Sequence, residues 1–155
     1  MTTELPQIPL QQLYEQDFYQ WLETTANLLR ERKLDQLDFE NLIEEIESMG
    51  RSEKRELRNR LITLLEHLLK LAYWNTERKS NERGWKITVI EQRKQIELLL
   101  RDSPSLKPFL DNILYSCYQD ARDVVSRKTN LPSATFPEQS PFSLEKTIDP
   151  DYFPE

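Results

Sequence analysis

The chain has 155 residues, of which 37% are hydrophobic and 31% charged, with a formal net charge of −6. That length suits one domain, able to bury roughly 70% of the surface its unfolded chain exposes. The acidic balance argues against general nucleic-acid binding, since nothing net-positive meets the phosphates, and two glycines are too few for the turns of an all-β chain.

Residues 1–12 contain Pro6 and Pro9, show no period and read as an N-terminal arm. From Leu13, Tyr14, Phe18, Trp21, Leu22, Thr25, Leu28 and Leu29 recur at steps that make one helical face. "LDQLD" interrupts, and Asp38 is the expected N-cap of a second helix. Its stripe is Phe39, Leu42, Ile43, Ile46 and Met49, and Gly50 is expected to close it in a left-handed cap. Ser52 then opens a third helix, whose apolar residues from Leu57 to Trp74 cover more than half its circumference. A helix apolar that far round belongs at the centre of a fold.

"SNERG", residues 80–84, reads as a break before a fourth helix marked by Trp85, Val89, Gln92, Arg93, Ile96, Leu99 and Leu100. Pro104 ends that helix, and Ser105 caps a fifth with Pro108 in its first turn. Its stripe runs Phe109, Leu110, Ile113, Leu114, Cys117, Ala121, Val124 and Val125. Five of the nine prolines lie in residues 131–155, among six large apolar side chains that a free linker would not need. This segment is expected to dock in extended form, with "SLEKTI" as one helical turn capped by Ser143. The expected fold is therefore all-α, an antiparallel bundle of about five helices with an extended Pro-rich C-terminal segment docked on it. It is read as a single domain: arm 1–12, bundle 13–130, extended segment 131–155.

Several residues invite chemistry. Glu40, Glu44 and Glu47 follow helical steps, but a di-iron bundle site also needs Glu-x-x-His pairs, and Leu64 stands three residues before the only histidine, His67. A solvated or ion-paired face is the simpler reading. Residues 35–50 hold six acidic groups and no basic one, whereas residues 51–60 hold five basic ones. If Gly50 reverses the chain, the two helices lie as antiparallel neighbours and neutralise each other; that arrangement is the expectation. His67 lies about 120° from the centre of its helix's apolar arc, on the side of Arg60, Lys70 and Trp74, where nearby cations should keep the imidazole neutral. Glu44, Glu45, His67, Lys70 and Arg93 together form the candidate polar site. Cys117, mid-stripe, reads as a small buried hydrophobe rather than a nucleophile. The stretch "ERKSNERGWKITVIEQRK" mixes cations and tryptophan as single-strand binders do, yet Trp85 opens an apolar stripe and three glutamates dilute the patch. No P-loop, GxGxxG, HExxH or EF-hand pattern occurs, so no cofactor is expected.

The order of "DFYQWLE", "LDFENLIEEIESMGRSEKREL", "LLEHLLKLAYW", "WKITVIEQR", "LRDSPSLKPFL" and "FSLEKTIDPDYFPE" resembles an all-helical family known as domain-of-unknown-function family 29, over about Leu13 to Pro154. The resemblance implies a compact, soluble, intracellular helical domain in a bacterial, chiefly cyanobacterial, family often present in many copies. It carries no activity, cofactor or catalytic residue. Asp17, Trp21, Glu44, Glu45, His67, Lys70, Trp85, Glu91, Arg93 and Pro154 match its pattern.

With one cysteine and no internal disulfide, a reducing cytoplasm is the simplest compartment. No apolar run reaches the roughly 18 residues of a membrane span, and the first residues lack the basic start and apolar core of a signal peptide. The leading functional expectation is a protein–protein interaction module, binding another protein or a second copy of itself as a homo-oligomer, rather than an enzyme. The alternative is a small enzyme or metal-binding protein with its site between the second, third and fourth helices. A weaker alternative is nucleic-acid binding through basic residues 51–60 and 78–94.

Overall fold

The computed structural model describes residues 8–155. They form an all-α structure whose helices are α1 (Leu10–Gln16), α2 (Phe18–Arg30), α3 (Phe39–Tyr73), α4 (Asn75–Asp102), α5 (Lys107–Thr129) and α6 (Leu144–Ile148), with no strand among them. The arm read over residues 1–12 lies partly outside the described residues; Leu10–Gln12 belong to α1. The chain divides into two compact units, one ending at Arg51 and one spanning Ser52–Glu155.

In the first unit the continuous helix expected from Leu13 is divided at Asp17. Its backbone leaves helical space (φ −150°, ψ 85°) and its carboxylate accepts a bond from the Gln20 N–H, so one residue ends α1 and caps α2. Trp21, Leu28, Leu10, Leu13 and Leu37 form the small core. Asp38 caps α3 as expected, through a bond from the Asn41 N–H, and also accepts from the Trp21 indole at 3.2 Å. The stripe expected to face a core does not: Phe39, Ile43, Ile46 and Met49 are exposed, and only Leu42 packs on this cluster.

The expected reversal at Gly50 does not occur. α3 is one helix of 35 residues, and neither glycine has a positive φ. A mid-helix glycine costs about 1 kcal/mol against alanine, too little to break a helix whose propagation is cooperative on both sides. Arg51 reaches back along the same helix to Glu44 at 2.7 Å and Glu47 at 3.9 Å. The acidic and basic runs therefore follow each other along one helix and are not antiparallel neighbours, and Ser52 is an interior residue, not a cap.

The second unit is built round the rod that the sequence marks as central. Leu57, Leu61, Leu64, Leu65, Leu68, Leu69 and Leu71 are all fully buried. α4 runs antiparallel to it, with Arg60 bonded to Gln92 and Trp74 stacked on Trp85 at 5.5 Å. α5 returns parallel to α3, since Arg58 meets Ser116 and Glu66 meets Lys128. The α3–α4 break falls at Trp74 (φ −92°, ψ 64°), not at residues 80–84. Polar residues there satisfy themselves inside the helix, Asn81 donating to the Glu77 carbonyl and Thr88 to the Gly84 carbonyl. After α4 stops at Asp102, Pro104–Leu106 form a short turn that takes up Ser105, so α5 begins at Lys107 without the expected serine cap.

The C-terminal segment docks as expected. Phe136, Phe142 and Leu144 are buried in the same core. α5 holds the segment by polar contacts, Tyr118 donating to the Pro137 carbonyl at 2.6 Å and Arg122 to those of Phe136 and Ser133. Ser143 caps α6 through the Lys146 N–H.

Candidate functional site

In the first unit, Glu45 accepts a hydrogen bond from the Tyr14 hydroxyl. That bond, chiefly, pushes the phenol up to about 12. Glu44 is exposed and paired with Arg51. Both carboxylates thus have partners inside this unit.

In the second unit, His67 and Lys70 lie beside a residue that the sequence reading missed. Glu66 is buried, and its carboxylate takes Lys128 at 2.6 Å and Lys70 at 4.0 Å. A carboxylate between Leu65 and Leu68 on the most apolar helix is the sequence signal that could have drawn attention to it. Its partner Lys128 stands 62 positions away and carries no such signal. His67 Nδ1 sits 2.8 Å from the Thr63 carbonyl, which holds the ring along its own helix. Burial pulls the His67 pKa below its ordinary value, with Lys70 and Lys128 adding to the effect against the Thr63 carbonyl and Glu66. Burial also lowers the Lys70 pKa, against the pull of Glu66.

Arg93 has a different setting. It is 5% exposed, with Nε donating to the Thr147 carbonyl at 2.8 Å and Nη2 to the Lys146 carbonyl at 3.2 Å, while its Cζ lies 5.2 Å from the centre of the Phe153 ring. These carbonyls belong to the last turn of α6, where cations and donors are favoured. Arg93 therefore clamps the C-terminal segment.

The basic stretches are largely engaged with neighbours. Lys54 lies over Phe109, Arg58 donates to Ser116, and Arg60 pairs with Glu56. Arg78 and Lys86 share Glu82. A polar recess of about 430 Å³ remains between α3 and α4, lined by Ser52, Arg55, Glu56, Asn59, Arg60, Thr63 and Gln92. Cys117 is buried and its thiol is pushed up to about 11 by that burial, far from a reactive thiolate. Among the described residues no group of three or more His, Cys, Asp or Glu side chains is arranged to hold a metal ion. No helix among them is long and apolar enough to cross a membrane.

The family described as "Domain of unknown function DUF29" matches residues 13–153. The chain belongs to that family. The match takes in all of α2 to α6, so both the DUF29 clamp at Arg93 and the Glu66 cluster lie within it. No curated protein and no solved structure matches the chain.

Proposed function

We propose that this DUF29 protein is an interaction module that docks an amphipathic helix with basic flanks along the first third of α3. The observation that supports this reading is the row Phe39, Ile43, Ile46 and Met49, 50–67% exposed. Their steps of four, three and three residues keep them on one helical face. A contiguous exposed apolar row is a feature of interaction surfaces, and a second helix laid alongside is the geometry that covers one. The sign of the partner's flanks rests on exposed Glu40, Glu44 and Glu47 beside the row, which remain net negative although Arg51 pairs with the last two.

The test uses two synthetic helical peptides with one apolar face, flanked by lysines in one and glutamates in the other, titrated into the protein by fluorescence anisotropy. The lysine peptide binds, binding weakens with salt, and Ile43→Asp with Ile46→Asp weakens it by about tenfold or more. Equal binding of both peptides, binding of neither, or an unaffected double variant overturns the reading. So does a dimer in light scattering that Ile46→Asp dissociates, because a second copy then covers the row.

A further inference from the structure

The recess of about 430 Å³ between α3 and α4 belongs to the second unit and is lined by polar side chains alone. Facing helices ordinarily present apolar ones. Two rows of α3 form its wall. Ser52, Arg55 and Asn59 follow steps of three and four, and Glu56, Arg60 and Thr63 follow steps of four and three, so each row keeps to one side of the helix. Gln92 of α4 completes the lining beside Arg60.

The two rows differ in how far their groups are engaged. In the second, Arg60 donates to Glu56 at 3.4 Å and to Gln92 at 3.3 Å. In the first, the Ser52 hydroxyl, the Arg55 guanidinium and the Asn59 amide are exposed and make no hydrogen bond or ion pair among the described residues. The chain holds 27 acidic residues against 21 basic ones, yet none of the described carboxylates lies within ion-pair distance of Arg55. Two arginines against one glutamate leave the recess itself positive.

Each row suits a different part of a ligand. The planar fork of Arg55 matches a phosphoryl group, and Ser52 and Asn59 add donors about one turn to either side. In the second row, Glu56 accepts from hydroxyl groups, Thr63 donates or accepts, and the amide nitrogen of Gln92 donates. No aromatic side chain lines the recess, so a nucleobase has no ring to stack on. No apolar one lines it either, so a hydrocarbon tail has no wall, and two guanidinium groups repel a metal cation.

We propose that this recess binds the monophosphate ester of a sugar, with the phosphoryl group on Arg55, Ser52 and Asn59 and the sugar hydroxyls on Glu56, Thr63 and Gln92. The apolar row of the proposed docking surface belongs to the other unit, and either site can fail without the other.

The experiment is a titration of the full chain at constant ionic strength, followed by amide NMR shifts. The probes are glucose 6-phosphate, glucose, inorganic phosphate, adenosine monophosphate and an oligouridylate. Glucose 6-phosphate produces saturable shifts at Ser52, Arg55, Asn59 and Gln92. It binds about tenfold or more tightly than glucose or inorganic phosphate, since each lacks one of the two anchors, and more tightly than either nucleotide probe. Arg55→Gln brings glucose 6-phosphate down to the level of glucose, with the circular-dichroism spectrum kept because Arg55 bonds to nothing else. Four results overturn the proposal: no saturation by glucose 6-phosphate, glucose or inorganic phosphate binding as tightly, adenosine monophosphate or oligouridylate binding as tightly or more so, or glucose 6-phosphate affinity unchanged in Arg55→Gln.

Discussion

His67 shows how a single side chain couples burial to pH. Its ring lies against the Thr63 carbonyl, with Glu66, Lys70 and Lys128 as the charged groups facing it. Because its folded pKa is below the ordinary 6.5, the folded state takes up its proton later than the unfolded chain as pH falls. The unfolded chain therefore binds more protons below about 6.5, and stability decreases from that pH down towards the folded pKa. Urea denaturation between pH 7.5 and 5.5 should show this decline, and His67→Gln should make it shallower. A slope unchanged by the substitution would assign the pH response to other groups. The sequence made the neutral histidine legible from nearby cations, but burial is the larger cause, and burial comes from neighbours that no local pattern identifies.

For the elements, Gly50 carries the clearest prediction. It lies inside α3, its φ is not positive, and a Cβ there would meet nothing within 4 Å. Gly50→Ala should stabilise the protein by about 0.5–1 kcal/mol, seen as a rise of roughly 1–4 °C in Tm by calorimetry. A left-handed cap would give the opposite sign, so the measurement also separates the two conformations. The helices themselves were legible, from the 3.6-residue spacing of Trp21, Leu57–Leu71 and Leu110–Val125. Their joints were not. Asp17 and Trp74 break helices with ordinary residue types, whereas Gly50 and the polar run at residues 80–84, which look like breaks, do not. Weak local preferences were overridden by cooperative helix propagation at Gly50 and by side-chain bonds within the helix at residues 80–84. The polar character of Glu44 and Glu45 was legible, but their pairing with Arg51 and Tyr14 was not.

Among the described residues there are two cores of unequal size. The larger holds the seven buried leucines of α3 with α4, α5 and the C-terminal aromatics; the smaller rests on Trp21, Leu28 and three further leucines. Leu68→Ala, in the larger, should cost about 2–5 kcal/mol through lost burial and the cavity left behind. Ile46→Ala, at a side chain 60% exposed, should stay within about 0.5 kcal/mol. Parallel denaturant titrations compare them, and a large loss from Ile46→Ala would mean that this row is covered within the monomer. Both positions carry the same apolar stripe along α3, which is why their opposite exposure was not legible: periodicity fixes a face, not what covers it. The three tryptophans give this arrangement an optical consequence. Trp21 is sealed and bonded to Asp38 in one unit, while Trp74 and Trp85 lie face to face, 16° from parallel, in the other. Coupled indole transitions belong to the stacked pair alone, so an exciton band in the circular-dichroism spectrum reports on the second unit, and the emission of a Trp74→Phe, Trp85→Phe protein reports on the first.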